Sequence, residues 1–379
     1  MWQRLKSHRS TLLSLDDVSL WDRTCERTET DVSPKVYIIL VNFNGWKDTV
    51  ECLESVLRSD YPDFQVIVVD NASKDRSLEQ IAAWARGRED ARAANPRLAG
   101  LIRPPIEKPV ECSCYASEIL SDSASLPPDD GNRPLILISS GENRGFAAGN
   151  NIGISYALAK NDASFIWLLN NDTVIEAGTL TALVNKARTY EKEGRKVGMI
   201  GAKLMYYDFP DRIQGVAGLY NKWFARSKHL GMFEEDRGQY DDENIALRMD
   251  YPIGASLFVP VDFIRDVGLM CEDYFLYFEE LDWAVRGRAK GWQLGYCWQA
   301  RVFHKEGSSA GADTRKPREK SAIADFHSIR NRIVFTKKFF PAQLPTVRLG
   351  LLFVLLNRIR RGQFDRLEWV ISESILPNE

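Results

Sequence analysis

VYIILVNFNGWKDTVECLESVL, residues 36–57, followed by QVIVVD at 65–70, decides the fold. Its first six residues form an unbroken apolar run of strand length, rich in β-branched side chains. That is the pattern of a strand buried on both faces of a parallel sheet. From 47 to 58 the pattern changes: apolar Val50, Leu53, Val56 and Leu57 recur at helical spacing. QVIVVD reads as a second buried strand, and Leu78, Ile81, Ala82 and Ala85 mark a second amphipathic helix. Strand, helix, strand, helix in this order implies right-handed crossovers and a doubly wound, mostly parallel α/β sheet.

Outward from this unit the alternation resumes with PLILIS (134–139), a helix over 146–160, the strand FIWLLN (165–170), a helix over 177–193 and the strand VGMIGAKLMY (197–206). Between 87 and 133 it breaks into a segment rich in Pro, Ser, Asp and Arg. This is read as an insertion, partly disordered or folded as a small flap, because so long a loop is unusual inside a compact domain. Residues 1–34 form a polar leader. After Tyr207 aromatic and charged residues mix; IGASLFVP (253–260) and WQLGYCW (292–298) read as strands, and 279–291 as a helix closed by a Gly near its C-cap. The chain thus divides into the leader 1–34, a first half 35–205, a second half 206–335 and a tail 336–379.

With 379 residues, 44% of them hydrophobic, the chain can bury one large α/β domain with additions. A net charge of −2 offers no basic field for nucleic acid. The six cysteines show no Cys-x-x-Cys spacing and read as free thiols of a reducing compartment. The N-terminus lacks the apolar core of a signal peptide, and no window shows the roughly 18 apolar residues that span a bilayer, so a cytoplasmic protein is expected. The tail is different. LGLLFVLL (349–356) precedes Asn-Arg-Ile-Arg-Arg, and between Arg330 and Arg366 there are nine Lys or Arg residues against one acid, Asp365. Leu349, Leu351, Leu352, Leu355, Leu356 and Ile359 can share one helix face, with Arg348, Arg358 and Arg361 on its other side. Two readings stand: a peripheral contact with an anionic leaflet at the inner face of the membrane, or packing on the α/β domain or on a second subunit, as in a homodimer.

Three apolar strands end in short polar side chains: Asn42, Asp70, and the run Asn170, Asn171, Asp172. Ligands of an open α/β sheet bind beyond the carboxyl ends of its strands, so these side chains converge on one crevice. A single Asp there is most often a cap or turn residue; three such ends in register invite a ligand. Asp172 is placed to bind a hard divalent cation that clamps a diphosphate, or else it caps the next helix. In ENRGFAAGNNIG (142–153), Gly145, Gly149 and Gly153 surround a helix start where backbone can approach a phosphate. Glu279, Glu280 and Asp282 crowd another helix start. Asp282 can pair with Arg286 four residues on, whereas Glu279 or Glu280 could accept a proton from a hydroxyl. His304 follows the last strand and precedes a Gly-Ser-Ser-Ala-Gly loop, as a metal or phosphate contact or an ordinary surface histidine.

VNFNGWKDTVECLESVL, VVDNASKDRS, ENRGFAAGNNIG, LLNNDT, FLYFEELDWAVRGRAKGW and VFHKEGSSAG occur in an order that resembles the family-2 glycosyltransferases over about residues 35–335. The likeness is greatest to the branch holding bacterial rhamnosyltransferases and galactofuranosyltransferases. The resemblance implies a GT-A fold, an acceptor-binding C-terminal half, and single-displacement inversion. It implies Asn42, Asn44, Asp70 and Ser73 around the donor nucleoside, and Asn143, Arg144, Gly145, Phe146, Asn150 and Asn171 lining the donor pocket. It further implies Asp172 and His304 on Mn²⁺ or Mg²⁺, Arg330 on the diphosphate, and Glu280, with Glu279 beside it, as base. Two positions depart from the family: Asn170-Asn171-Asp172 leaves one carboxylate in the D-x-D element, and Glu279-Glu280 stands where Glu-Asp is usual. The expected activity is rhamnosyl transfer from dTDP-rhamnose to a glycan or lipid-linked glycan in bacterial surface polysaccharide assembly. The alternatives are a UDP-sugar transferase for galactofuranose or N-acetylhexosamine, and a non-catalytic nucleotide-sugar-binding scaffold. A sugar-1-phosphate nucleotidyltransferase lacks support, since its Gly-rich loop is missing after the first strand. A processive synthase lacks its Gln-x-x-Arg-Trp motif.

Overall fold

The computed structural model describes residues 33–118, 133–305, 322–360 and 362–364. Its elements run β1 (Val36–Asn42), α1 (Trp46–Val56), β2 (Phe64–Asp70), α2 (Ser77–Ala85), β3 (Cys112–Ala116), β4 (Leu135–Ser139), α3 (Phe146–Lys160), β5 (Phe165–Leu169), β6 (Thr173–Ile175), α4 (Thr179–Lys192) and β7 (Val197–Tyr206). There follow β8 (Ile213–Gly215), β9 (Ala217–Asn221), β10 (Arg226–Leu230), α5 (Ile245–Arg248), β11 (Ser256–Pro260), α6 (Val261–Val267), α7 (Glu279–Ala289), β12 (Gln293–His304), α8 (Ala322–Phe339) and α9 (Leu344–Arg360).

Among the described residues, one sheet takes the order β3-β4-β2-β1-β5-β11-β7-β12-β6, with β8 paired to β7; β9 and β10 make a separate hairpin. β3, β4, β2, β1 and β5 are parallel to one another, as are β7 and β12, while β11 runs antiparallel between β5 and β7 and β6 antiparallel to β12. This is the mostly parallel doubly wound sheet expected. The unbroken apolar runs have a direct cause. Val36, Ile38 and Leu40 of β1 enter the core under α1 and α2, with Val50, Leu53, Val56, Ile81 and Trp84. Tyr37 and Ile39 enter the opposite core, with Ala147, Ile154 and Ala157 of α3. With both faces buried, neither can carry polar side chains.

The 87–133 segment is more integral than a flap. Cys112–Ala116 adds β3 to the sheet edge, in parallel register with β4. The segment before it is tied to α1 through the buried Glu54 carboxylate, which accepts from Trp84 Nε1 (3.0 Å) and from the Ile106 backbone N–H (2.9 Å) and pairs with Lys108 (3.3 Å). Residues 119–132 lie outside the described residues. The β9–β10 hairpin has no clear signature in the sequence. Its strands are short and β10 is largely exposed, so the burial that writes an alternating pattern is absent.

The tail differs from expectation in two ways. Pro341–Arg360 is, by length and composition, long and apolar enough to cross a membrane, with mean hydropathy 1.2; this corrects the expectation that no stretch qualifies. In addition, Leu351 does not share an outward face with Leu349 and Leu352. It is buried with Val347 against Ile329 and Ile333 of α8. Arg361 and Arg366 lie outside the described residues, as does the Gly-Ser-Ser-Ala-Gly loop after His304.

Candidate active site

β1 and β2 pair in register so that Asn42 lies opposite Asp70. Asn42 Nδ2 donates to Asp70 Oδ1 at 2.7 Å and to Ser73 Oγ at 3.1 Å. Asp70 Oδ2 accepts from the Ser73 backbone N–H at 3.0 Å, and Ser73 Oγ accepts from the Asn44 N–H at 2.8 Å. Asn44 is in the left-handed region (φ 52°), and its Oδ1 accepts from the Lys74 N–H at 2.7 Å. Four residues from two strand ends thus form one bonded platform. β5 pairs with β1 on the other side, and Asn171, just past it, donates to Thr49 Oγ1 (2.9 Å), which donates in turn to Asn42 Oδ1 (2.8 Å).

Asn143 lies beside this platform. Its Oδ1 accepts from Asn71 Nδ2 (2.9 Å) and from the Gly145 N–H (3.0 Å). Gly145 has φ 95°, and a Cβ there would fall 2.3 Å from the Phe275 carbonyl oxygen, so only glycine fits. Phe146 N–H donates to that same oxygen at 2.8 Å. Gly149 and Gly153 serve another purpose than phosphate approach. A Cβ on either would meet Val41 or Ile39 side chains at 2.8 and 2.6 Å, so these glycines let α3 lie close on β1. Asn150 Nδ2 bonds its own helix at the Phe146 carbonyl (3.0 Å), and Arg144 pairs with Glu272 at 2.6 Å.

Asp172 and His304 are brought together from β6's leading edge and the end of β12, which pair antiparallel there. Asp172 Oδ1 and His304 Nε2 are 3.1 Å apart, both nearly buried. Asn170 Nδ2 is 3.2 Å from the same Nε2, and Gln214 Oε1 is 2.8 Å from Nδ1. If Nδ1 alone carries a proton, toward Gln214, the Nε2 lone pair and the carboxylate oxygen are two donors that could hold one cation; if Nε2 is protonated as well, it donates to Asp172. Burial alone would lift the Asp172 carboxyl, but in the doubly protonated state the charge and hydrogen bond of His304, helped by Lys305, hold it below its ordinary value. Lys305 in turn pairs with Glu51 (2.6 Å) and Asp48, both on α1.

This donor set fits a hard or borderline divalent ion. Asn170 Oδ1 is buried without a hydrogen-bond partner, an orphaned acceptor of the kind that a bound cation would satisfy. No group of three or more His, Cys, Asp or Glu that could hold a metal ion occurs among the described residues; the remaining positions would fall to diphosphate and water, as is usual for Mg²⁺.

Glu279 and Glu280 open α7 after a strained approach: Phe275, Tyr277 and Phe278 all have positive φ (61°, 70° and 80°). Asn331, fully buried on α8, holds this segment by donating Nδ2 to the carbonyls of Tyr274, Leu276 and Tyr277 at 2.8–3.0 Å. Arg330 donates to the Asp273 carbonyl at 2.9 Å, so it too reaches this segment. Asp282 is taken up by Arg286 (2.6 Å), the pairing its spacing suggested, and also by Lys338 (2.6 Å) and Tyr274 OH (2.9 Å). Glu279 is buried and its Oε2 has no partner; burial and the adjacent Glu280 carboxylate push it up to about 8. Burial pushes Glu280 up to about 7. Glu280 is only half-buried and lies against Gly254. The next residue, Ala255, accepts the Asn170 N–H at 3.0 Å, which sets Glu280 near the Asp172 end of the crevice.

Sequence reasoning missed Gln214, Lys305, Asn71 and Asn331. Lys305 and Asn331 adjoin residues already singled out; Gln214 sits on a three-residue strand with no local signal.

The family profile described as Glycosyl transferase family 2 matches residues 37–95 and 116–242. A hexosyltransferase of low-salt glycan biosynthesis, Agl10 of Haloferax volcanii, is 21% identical over 225 residues, covering 58% of this chain and 66% of that protein. The chain therefore spans just under two thirds of that relative's length. Among solved structures, GalNAc-T7 with UDP, GalNAc and Mn²⁺ is similar at TM-score 0.53 and 12% identity, over 90% of this chain and 57% of that one. The mannosyltransferase PcManGT of Pyrobaculum calidifontis, in complex with GDP-Man and Mn²⁺, is similar at TM-score 0.49 and 12% identity, over 91% and 87%.

Proposed function

The chain belongs to the family-2 glycosyltransferase superfamily and has the GT-A fold, and from that premise we propose that it transfers a sugar, with inversion, from a nucleoside diphosphate donor to a hydroxyl of a glycan acceptor in surface polysaccharide assembly. The observation that carries this reading is the 3.1 Å approach of Asp172 and His304 at the same end of the sheet as the Asn42–Asp70 platform. A nucleoside would rest on Asn42, Asn44, Asp70 and Ser73, and its diphosphate would run along Asn143–Phe146 toward Asp172. Mn²⁺ or Mg²⁺ held by Asp172 and His304 would offset charge on the departing diphosphate.

The acceptor oxygen forms the new bond to the anomeric carbon as the carbon–diphosphate oxygen bond breaks. Its electron pair leaves with the diphosphate, and Glu280 takes the acceptor's proton. A carboxylate raised toward neutrality is a stronger base than an ordinary one and is still available at pH 7. Rhamnose from dTDP-rhamnose is the donor this reading favours, on the motif likeness alone; UDP-sugars are the next choice.

Thermal-shift screening against nucleotide sugars with Mn²⁺, followed by transfer and hydrolysis assays, tests the reading. Stabilisation by dTDP-rhamnose and its turnover are expected. Stabilisation by a UDP-sugar would move the donor. Binding without turnover on any acceptor or water would favour a scaffold subunit, consistent with Asn170 and Asn171 replacing carboxylates.

A further inference from the structure

The tip of the β9–β10 hairpin and the outer face of α9 form one apolar surface. Trp223 and Phe224 are 52% and 46% exposed. They are joined to α9 by the Thr346 hydroxyl, which donates to the Trp223 carbonyl at 2.6 Å, and by Gly350, whose Cβ position lies 3.4 Å from Phe224. Along α9, Leu349, Leu352, Phe353, Leu356 and Ile359 are 40–63% exposed. Their spacing of three, one, three and three residues puts them on one stripe. The opposite face, Val347 and Leu351, is buried against Ala225 and α8, and Arg358 pairs with Asp325 of α8. The helix is therefore already docked, and the exposed stripe is in excess of what packing needs. Contiguous exposed apolar surface of this kind marks a contact.

Its charge says with what. Segments 217–230 and 326–364 together hold eleven Lys or Arg and no Asp or Glu, in a chain whose net charge is −2; two of the eleven, Lys338 and Arg358, are taken up by Asp282 and Asp325. Lys222, Arg226, Lys228 and Arg360 are exposed. An apolar stripe between a Trp-bearing tip and flanking cations is suited to lie in the interface of an anionic leaflet, with rings and leucines below the headgroups and cations among the phosphates. We propose that this composite face of α9 and the β9–β10 tip is a membrane-docking surface for anionic lipid. A protein partner matched to it would have to be both apolar and acidic. Crossing the bilayer would require α9 to give up the Val347–Leu351 packing and the Arg358–Asp325 pair. α8, on which α9 rests, also carries Asn331, so a docked α9 sits one helix away from the segment that presents Glu279 and Glu280. The proposal stands on the surface alone, and no sugar donor enters its test.

The test is co-sedimentation of the full chain with vesicles of 7:3 phosphatidylcholine to phosphatidylglycerol, against pure phosphatidylcholine. Binding to the anionic vesicles is expected, weakened by salt. It should fall at least about tenfold in L352Q/F353Q/L356Q, which changes the outer stripe, keeps Val347 and Leu351 in place and leaves the thermal midpoint near wild type. Trp223→Ser should weaken it by a smaller factor without touching α9. No binding to anionic vesicles, or equal binding by the triple variant, would overturn the proposal. So would self-association in sedimentation velocity that the triple variant abolishes while vesicles bind neither protein; the face would then be a contact between copies.

Discussion

At the residue scale, the contact between Asp172 and His304 is the sharpest feature, because a buried carboxylate and an imidazole share one narrow space with an unpartnered amide oxygen. Asp172→Ala should lower turnover by about 100-fold or more, in the range seen when a positioned electrostatic group is lost. His304→Ala should raise the Mn²⁺ concentration needed for half activity, because it removes a ligand and leaves the carboxylate. Activity unchanged in excess chelator, measured by product release, would count against the cation. Glu280→Gln keeps size but cannot take a proton, and should cut turnover by roughly 10²-fold with donor affinity unchanged. In the wild type the pH–rate profile should rise through about pH 7 rather than near pH 4–5, since Glu280 is pushed up to about 7 and acts deprotonated. If Glu279→Gln is the dead variant and Glu280→Gln is active, the base is the neighbouring residue. Asn42 and Asp70 could be singled out from sequence because a polar residue ending a buried strand has few structural uses. Gln214 could not, since nothing local ties it to His304, 90 residues away.

At the element scale, the approach to α7 holds three aromatic residues at positive φ, each costing of order 1–3 kcal/mol unless its surroundings fix it. Two groups hold it from opposite sides: Asn331 from α8, and the Phe146 N–H over Gly145. Asn331→Ala should leave buried carbonyls unsatisfied and cost about 1–3 kcal/mol in chemical denaturation. It should lower kcat more than it raises donor KM, because it loosens the segment carrying Glu279 and Glu280 and leaves the Asn42–Asp70 platform untouched. Equal loss in both parameters, tracking only the folded fraction, would reduce Asn331 to a structural role. Gly145→Ala should act on the same segment from the other side by pushing Phe275 away. The sequence showed α7 but not this approach. Positive φ at Phe and Tyr contradicts local preference, and only contacts distant in sequence impose it. The same limit applies to 87–133, whose β3 is a five-residue edge strand lacking the fully buried pattern of β1 and β2.

At the scale of the whole molecule, the sheet was legible because each central strand is buried twice, whereas the surfaces around it follow no period. Burial of the two glutamates also reaches the folding equilibrium. Their carboxyls are raised in the folded chain, to about 8 and about 7, from an ordinary 4.5. A group that holds its proton more tightly when folded contributes stability that is fully present below the unfolded value and lost as pH rises through the folded one. Between about pH 4.5 and pH 8 the pair should therefore withdraw on the order of a few kcal/mol, with the unpartnered Glu279 Oε2 the larger share. Asp172 works in the opposite sense. Its carboxyl is held low by His304 and Lys305, so its contribution is present above the ordinary carboxylate value and disappears only in acid. The two effects occupy different windows, which makes the alkaline one separable. In E279Q/E280Q, thermal midpoints should be flatter than wild type from pH 5.5 to 8.5 and higher at the alkaline end, even though the variant is inactive. A wild-type midpoint that does not decline across that range, or one that declines equally in the double variant, would mean that neither carboxyl is held protonated by the fold. The base would then owe its strength to the bound donor and not to its burial.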